Sequence, residues 1–376
     1  MITGYVLKLV RESLGLGQEA LAERLGVDRN TLQEWESGRR ALTSTRAASI
    51  VGLRHQLRGL GADARLLDSL NEALEADYVL GFTQAFDPHE IDARRHPLAN
   101  WVIKRSFAEM LAWPFTGQAP MLFRDLATAS RRGPTSSAPV LSRPERDRFF
   151  EHLQHAAERS LVSGHANGTN GALLRRQAYY LSAWNTNADT RTWLRDMERR
   201  EQLRIGRLDS WSPLWVTARS LVVARARQGD KAPLRRFIAR AIASDECQAA
   251  SLNYWAYRIG EVVVTHHSDD FMATDLGGWN GMTLLRRLRD NLHATEPAVD
   301  IYVHSLWALL QRRARILEHD PQLAGSIGER VETFSDAQDL SEQSRRELQD
   351  LRYGVRLVQR SVSPTPVRST GGQLDG

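Results

Sequence analysis

The sequence predicts an all-α protein, with a compact unit of short helices near the N-terminus and a longer helical array after it. Three observations carry that prediction. Apolar residues recur at three- and four-residue steps along most of the chain, the spacing of one helical face. Alternating apolar–polar runs are nearly absent, and Glu261 to Thr265 is the only β-branched run. Turn signals such as Gly229-Asp230, Gly260, Gly277-Gly278 and Asp320-Pro321 cut the chain into helix-length pieces.

The first sixty residues are dense with periodicity and tight turns. Over 62–80, Leu66, Leu67, Leu70, Leu74 and Tyr78 predict a further helix, with a break from Gly81 to Pro88. His96-Pro97 opens another, striped by Leu98, Trp101, Val102, Phe107, Met110 and Leu111 and closed by Trp113-Pro114. From about Arg143 to Gln359 one helix pattern follows another, including 175–188, 190–204, 212–227, 232–243, 248–264, 282–292, 299–318 and 341–358. Helix pairs spaced 30 to 45 residues apart are the range of helical solenoids, which a plain bundle also matches. Arg219 to Ser244 is similar to one tetratricopeptide unit, without its full signature. The expected division is 1–60, a connecting helical region 61–128, a linker 129–142, a helical-repeat or bundle domain 143–360, and a disordered Ser/Pro/Gly tail 361–376.

A chain of 376 residues with 42% apolar composition can bury a large interior, and its length predicts two or three domains. The formal net charge is +5, which suits a polyanionic partner only weakly. Only Lys8, Lys104 and Lys231 are lysines among 50 basic residues, leaving 47 arginines, as codon bias alone would produce. The single cysteine, Cys247, excludes an intramolecular disulfide and points to a reducing cytoplasm. It reads as a small buried hydrophobe, with a redox sensor as the alternative. Neither a signal peptide nor an apolar run of membrane-spanning length is visible.

Function is concentrated in residues 7–42, LKLVRESLGLGQEALAERLGVDRNTLQEWESGRRAL. A first helix from about Val6 to Leu14 buries Leu7, Val10 and Leu14, and Gly15 leaves it. A second helix, Gln18 to Leu25, buries Leu21, Ala22 and Leu25. Gly26 turns, Val27 plugs the gap and Asp28 caps a third helix, Arg29 to Glu36, which buries Leu32 and Trp35. Two short helices joined by such a turn project the second from the surface, where its N-terminal residues can enter a major groove. Arg29, Asn30, Gln33 and Glu34 face outward. Arginine pairs with guanine and asparagine or glutamine with adenine through bidentate bonds. Gln18 lies at the start of the second helix, where free N–H groups favour phosphate. Thr31, Arg39 and Arg40 are the further phosphate candidates.

The segment resembles the lambda-repressor-like helix-turn-helix of the XRE family of bacterial and phage regulators. The matching residues are Leu7, Val10, Arg11, Gly15, Leu16, Gln18, Leu21, Ala22, Leu25, Gly26, Val27, Leu32, Trp35, Glu36, Gly38 and Arg40. The resemblance implies a phosphate contact for Gln18 and base contacts for Arg29, Asn30, Gln33 and Glu34. It covers about 55 residues. Two departures stand out: Gly17 replaces the usual Ser or Thr cap of the second helix, and Ala41-Leu42 replaces a common proline.

Elsewhere the signals are weaker. His266-His267-Ser268-Asp269-Asp270 lacks a spaced third ligand and reads as a polar turn rather than a metal site. Gly164 to Gly171 lacks the Lys-Ser/Thr of a phosphate loop and reads as a flexible loop. Tyr254, Tyr257 and Arg258 share one helical face and are the candidate effector site, against interhelical core. The expectation is a transcription regulator, with no catalytic residues, metal or cofactor. It would act as a homodimeric repressor on a two-fold symmetric DNA operator, with a C-terminal domain sensing a peptide, small molecule or partner protein. Architecturally this resembles XRE-type regulators with helical-repeat sensor domains. The alternative is an interaction scaffold localised to DNA by its N-terminal head; an enzyme fused to that head would need a polar pocket that the sequence does not display.

Overall fold

In the computed structural model, the residues described are 1–90, 92–124, 138–162, 168–201, 208–274, 278–293, 295–335 and 339–362. Among them the regular structure is helical throughout, with no strand. The N-terminal helices are α1 (Ile2–Ser13), α2 (Gln18–Leu25), α3 (Arg29–Ser37), α4 (Ala47–Gly59) and α5 (Ala64–Ala85). Next come α6 (Arg105–Thr116), α7 (Met121–Arg124), α8 (Arg143–Val162), α9 (Gly168–Ser182) and α10 (Asp189–Arg200). The remainder are α11 (Pro213–Arg227), α12 (Ala232–Ala241), α13 (Asp245–Arg258), α14 (Met282–Asp290), α15 (Val299–Arg312), α16 (Pro321–Ser335) and α17 (Glu342–Val362).

Several local expectations need correction. The break placed at Gly81 does not occur, because α5 runs on to Ala85 with Val79, Leu80 and Phe82 buried. The helix expected from His96-Pro97 is two 3-10 turns, Ala93–Arg95 and Pro97–Ala99, and α6 starts only at Arg105. Pro114 lies inside the last turns of α6, and Gly117 ends it in a left-handed conformation. Glu261 to Thr265 is irregular, with Val263 and Val264 exposed. The last residues of the predicted Gly164–Gly171 loop form the first turn of α9, while 163–167 lie outside the described residues. Of the expected linker, 138–142 carry no helix and 129–137 lie outside the description; of the expected tail, 361–362 end α17 and 363–376 lie outside.

Burial sorts the helices. In α11, α13 and α15 nearly every residue of the central stretch is buried, including Trp215 to Ala224, Ala250 to Arg258 and Val299 to Leu306. Helices buried all round form the interior of a larger body. α12 instead buries one stripe, Leu234, Phe237, Ile238 and Ala241, and α14 buries Leu284, Leu285 and Leu288. They are outer helices. α12 packs on α15, α11 on α9, and α15 on α17, which are partners beyond the next helix in sequence.

Two apolar clusters result. One holds the N-terminal helices and continues through α5, α6, α8 and α9 to Leu221 and Ala224 of α11. The other holds Trp215, Val216 and Val222 of the same helix together with α12 to α17. α11 is therefore the seam. Main-chain groups of 98–104 are clasped there from both sides. Gln177 accepts from Ile103 N at 2.7 Å, Arg258 donates to Ile103 O at 2.7 Å, and Val102 N donates to His266 O at 2.8 Å. Cys247 is fully buried, as its Ala-rich surroundings predict.

Candidate nucleic-acid interface

The three helices expected over 6–36 are present, with α1 longer at its start. Gly15, Gly26 and Gly38 take φ values of 68°, 65° and 76°, so each turn uses the left-handed region that glycine enters without a Cβ clash. Leu21, Ala22, Leu25, Leu32 and Trp35 are buried, and Val27 is half-buried against the same cluster. Asp28 holds the N-cap position of α3 with extended backbone, but its carboxylate makes no capping bond. Gly17 caps α2 by position with φ −73°, a conformation open to any residue.

On α3, Arg29, Asn30 and Gln33 are exposed and Thr31 and Glu34 are half-exposed. No acidic residue occupies its first turn, and Arg29 stands at the positive end of the helix dipole. That placement opposes helix stability by about 0.3–1 kcal/mol and suits an external anion. Arg39 and Arg40 are exposed after the helix, with Arg39 Nε donating to Ser37 Oγ at 3.3 Å. Arg24 and Arg46 add exposed charge nearby in sequence.

Beneath this face lies a buried ion pair. Arg11 donates to Glu36 through Nε at 2.6 Å and Nη2 at 3.2 Å, and through Nη1 to Leu16 O at 2.8 Å. Gln18 Nε2 donates to Glu36 Oε2 at 2.8 Å. One carboxylate on α3 thus ties α1 to α3 and orients the half-buried Gln18 at the start of α2. Both charged residues fall in the core phase of their helices, Arg11 four after Leu7 and Glu36 four after Leu32. Opposite charges at two core positions were the available signal.

Gly4 also went unnoticed in the sequence. A Cβ there would stand 2.0 Å from the carbonyl oxygen of Trp35, so α1 crosses the end of α3 at backbone contact. Close backbone approach of this kind selects glycine within a helix despite its entropy cost.

The candidate effector residues separate. Tyr254 and Arg258 line one cavity at the seam. Tyr257, fully buried, instead donates its hydroxyl to Val102 O at 2.5 Å and packs on Phe271. His266 stacks on Phe271 at 4.3 Å, and His267 Nδ1 bonds Asn100 O at 2.8 Å, so this pair serves packing and main-chain contacts.

A packed pair of short helices joined by a tight glycine turn, with an exposed polar N-terminal face on the second, defines a helix-turn-helix DNA-binding domain. Residues 7–52 match the family model described as Helix-turn-helix, and this N-terminal domain is a helix-turn-helix of the XRE family. No curated protein and no solved structure matches the chain. At the level of that family, the domain supports a DNA-binding transcription regulator. Among the described residues no helix is long and apolar enough to cross a membrane.

Proposed function

We propose that the chain is a sequence-specific transcription regulator that occupies a two-fold symmetric operator as a homodimer and represses by that occupancy. The working division is a reading head over 1–60, a connecting region over 61–128, a linker over 129–142 and an effector or dimerisation domain over 143–360. Arg29, Asn30, Gln33 and Glu34 read bases; Gln18, Thr31, Arg39 and Arg40 hold phosphates. The observation that carries the reading is the grouping of Arg29, Asn30 and Gln33 on the exposed start of α3, where core packing has no use for them. Each bidentate base pairing is worth about 1–3 kcal/mol of discrimination. One head offers too few contacts for tight specific binding, which favours two heads on half-sites about one helical turn apart.

The test is selection of genomic fragments by the full chain beside an Arg29→Ala/Asn30→Ala/Gln33→Ala variant at about 150 mM salt. The expected result is a symmetric site for the native protein and only weak, salt-sensitive binding for the variant. Equal enrichment by both removes the base-reading assignment.

A further inference from the structure

The seam between the two apolar clusters contains a cavity that, among the described residues, is lined by four arginines, Arg105, Arg219, Arg227 and Arg258, and by no aspartate or glutamate. Interiors seldom collect like charges, because a buried ion needs a counter-charge or a full set of hydrogen bonds. Three of the four have partners: Arg105 donates to Glu109 at 2.7 Å, Arg258 donates to Ile103 O at 2.7 Å, and Arg227 hydrogen-bonds the Tyr180 hydroxyl. Arg219 is 4% exposed, and its buried Nε and Nη2 have no hydrogen-bond partner among the described residues. Nη1 of Arg227 is also buried, without a hydrogen-bond partner among the described residues. Aromatic faces supply the rest of the support. Arg219 lies 4.4 Å from the ring centre of Tyr254, and Arg258 lies 4.4 Å from that of Tyr180.

The local potential is positive enough to act on its neighbours. Burial pushes the Arg219 guanidinium down to about 10, with the adjacent Arg258 adding to the effect and Tyr254 opposing it; it is still charged at neutral pH. Burial alone would raise the phenol of Tyr180, yet Arg258, Arg227 and Arg105 outweigh it and bring the group down to about 8.

The enclosed part of the cavity is narrow, about 20 Å³, roughly one water. It shares Arg105, Tyr180 and Arg227 with a cleft of about 860 Å³ on the same seam. The cleft falls within the size range of small-molecule sites. Trp184 and Tyr180 line it together with three carboxylates: Glu109 is bound to Arg105, Asp290 is bound to Arg289 outside the cleft, and Glu296 acts on Arg227 from a distance.

We propose that the cleft on this seam binds a phosphate-bearing small molecule, its phosphate taken by Arg227 where the cavity opens into the cleft, with Arg105, Arg219 and Arg258 supplying the positive potential around it and a flat ring held against Tyr180 and Trp184. Several converging guanidinium groups suit a tetrahedral dianion, whose oxygens accept multiple charge-assisted bonds; a single carboxylate needs one fork. The inference rests on the reading of the C-terminal helices as an effector domain, and it supplies the chemistry of the effector. Arg105 and Tyr180 stand on α6 and α9, which share a core with the reading head, while Asp290, on α14 of the other core, lines the same cleft. A ligand touching both sides can favour one relative arrangement, as coupling requires.

The test is thermal unfolding of the full chain in a phosphate-free buffer, with inorganic phosphate, adenosine monophosphate, adenosine or citrate added at about 10 mM. Phosphate should raise Tm by about 2 °C and adenosine monophosphate by more, with adenosine inactive. Arg219→Met should raise Tm without additive, since it removes an unpaired buried charge, and should weaken the phosphate shift by lowering the positive potential around Arg227. Arg219→Lys should retain more of that shift. The proposal is overturned if phosphate and adenosine monophosphate leave Tm unmoved, if citrate alone raises it, or if Arg219→Met keeps the native shift. The Arg29→Ala/Asn30→Ala/Gln33→Ala variant must show the native shift; its loss there would place the phosphate on the DNA head. A normal shift combined with failed operator selection would instead leave the anion site standing and remove the regulator reading.

Discussion

Asp77, buried in the middle of α5, holds Thr3 by two hydrogen bonds: Thr3 N donates to Oδ2 at 2.8 Å and Thr3 Oγ1 to the same oxygen at 2.6 Å. Its other oxygen accepts from Ile2 N at 2.8 Å. The free N–H groups of the first turn of α1 are thereby satisfied by a residue from a different helix, which does the work of a local cap. The reading head and α5 are joined by polar groups as well as by packing.

Asp77→Ala should therefore cost about 2–3 kcal/mol of stability, since it strands buried donors that water cannot reach. Urea denaturation measures it. A loss below about 0.5 kcal/mol would mean that the first turn of α1 does not depend on α5.

Gly4→Ala tests the contact between α1 and α3. In an unhindered helix this change gains about 0.5–1 kcal/mol. Here the new Cβ would meet the Trp35 carbonyl at 2.0 Å, a backbone atom that cannot swing away. The expected outcome is a net loss of about 1–3 kcal/mol and weaker operator binding, because the strain relaxes by moving the recognition helix. A raised Tm would show that the two helices can separate freely.

The Arg11–Glu36 pair predicts a split between stability and binding. Arg11→Met strands the Glu36 carboxylate and should cost about 3–5 kcal/mol. Arg11→Met together with Glu36→Met should recover most of that, since an apolar replacement of a buried pair is often neutral. The double variant still lacks the anchor of Gln18, so operator affinity should fall about tenfold at restored stability. Native affinity in a stable double variant would remove the positioning role of Glu36.

Acid should weaken the protein through His96 and His152. His96 is buried beside Phe82 and His152 with ring centres 5.2 and 5.4 Å away, and its Nδ1 accepts from Leu98 N at 3.1 Å. Burial, aided by His152, pushes His96 down from 6.5 to about 3. Burial likewise pushes His152 down to about 4. Both are neutral when folded and protonate near 6.5 when unfolded, so the unfolded chain gains protons first. Their stabilisation is complete above about pH 6.5 and is lost as pH falls toward 4 and below. Tm measured from pH 7 to pH 4 should decline in that window, and His152→Phe should flatten the decline. An unchanged slope in the variant would assign the acid limb to other groups.

Much of the fold was legible because it is local. Periodicity and glycine positions marked α2, α3 and the turns around them, since a helix face and a positive φ depend on neighbours within a few residues. They failed at Gly81 and at His96-Pro97. Burial of Val79, Leu80 and Phe82 carries α5 through Gly81, and His96 caps a 3-10 turn rather than opening a helix. Tertiary packing outweighs a propensity difference of about 1 kcal/mol or less.

What the sequence determined by itself was the all-helical class, the helix-turn-helix and the identity of its outward-facing residues. All three follow from spacing along the chain. Tertiary structure alone decided that Asp77 would cap α1, that Gly4 would meet Trp35, that Tyr257 would turn away from Tyr254 and Arg258, and that four arginines would converge on α11's seam. Those relations join residues far apart in the chain. No local period encodes them, because they arise only when buried apolar faces dock and bring their polar neighbours along.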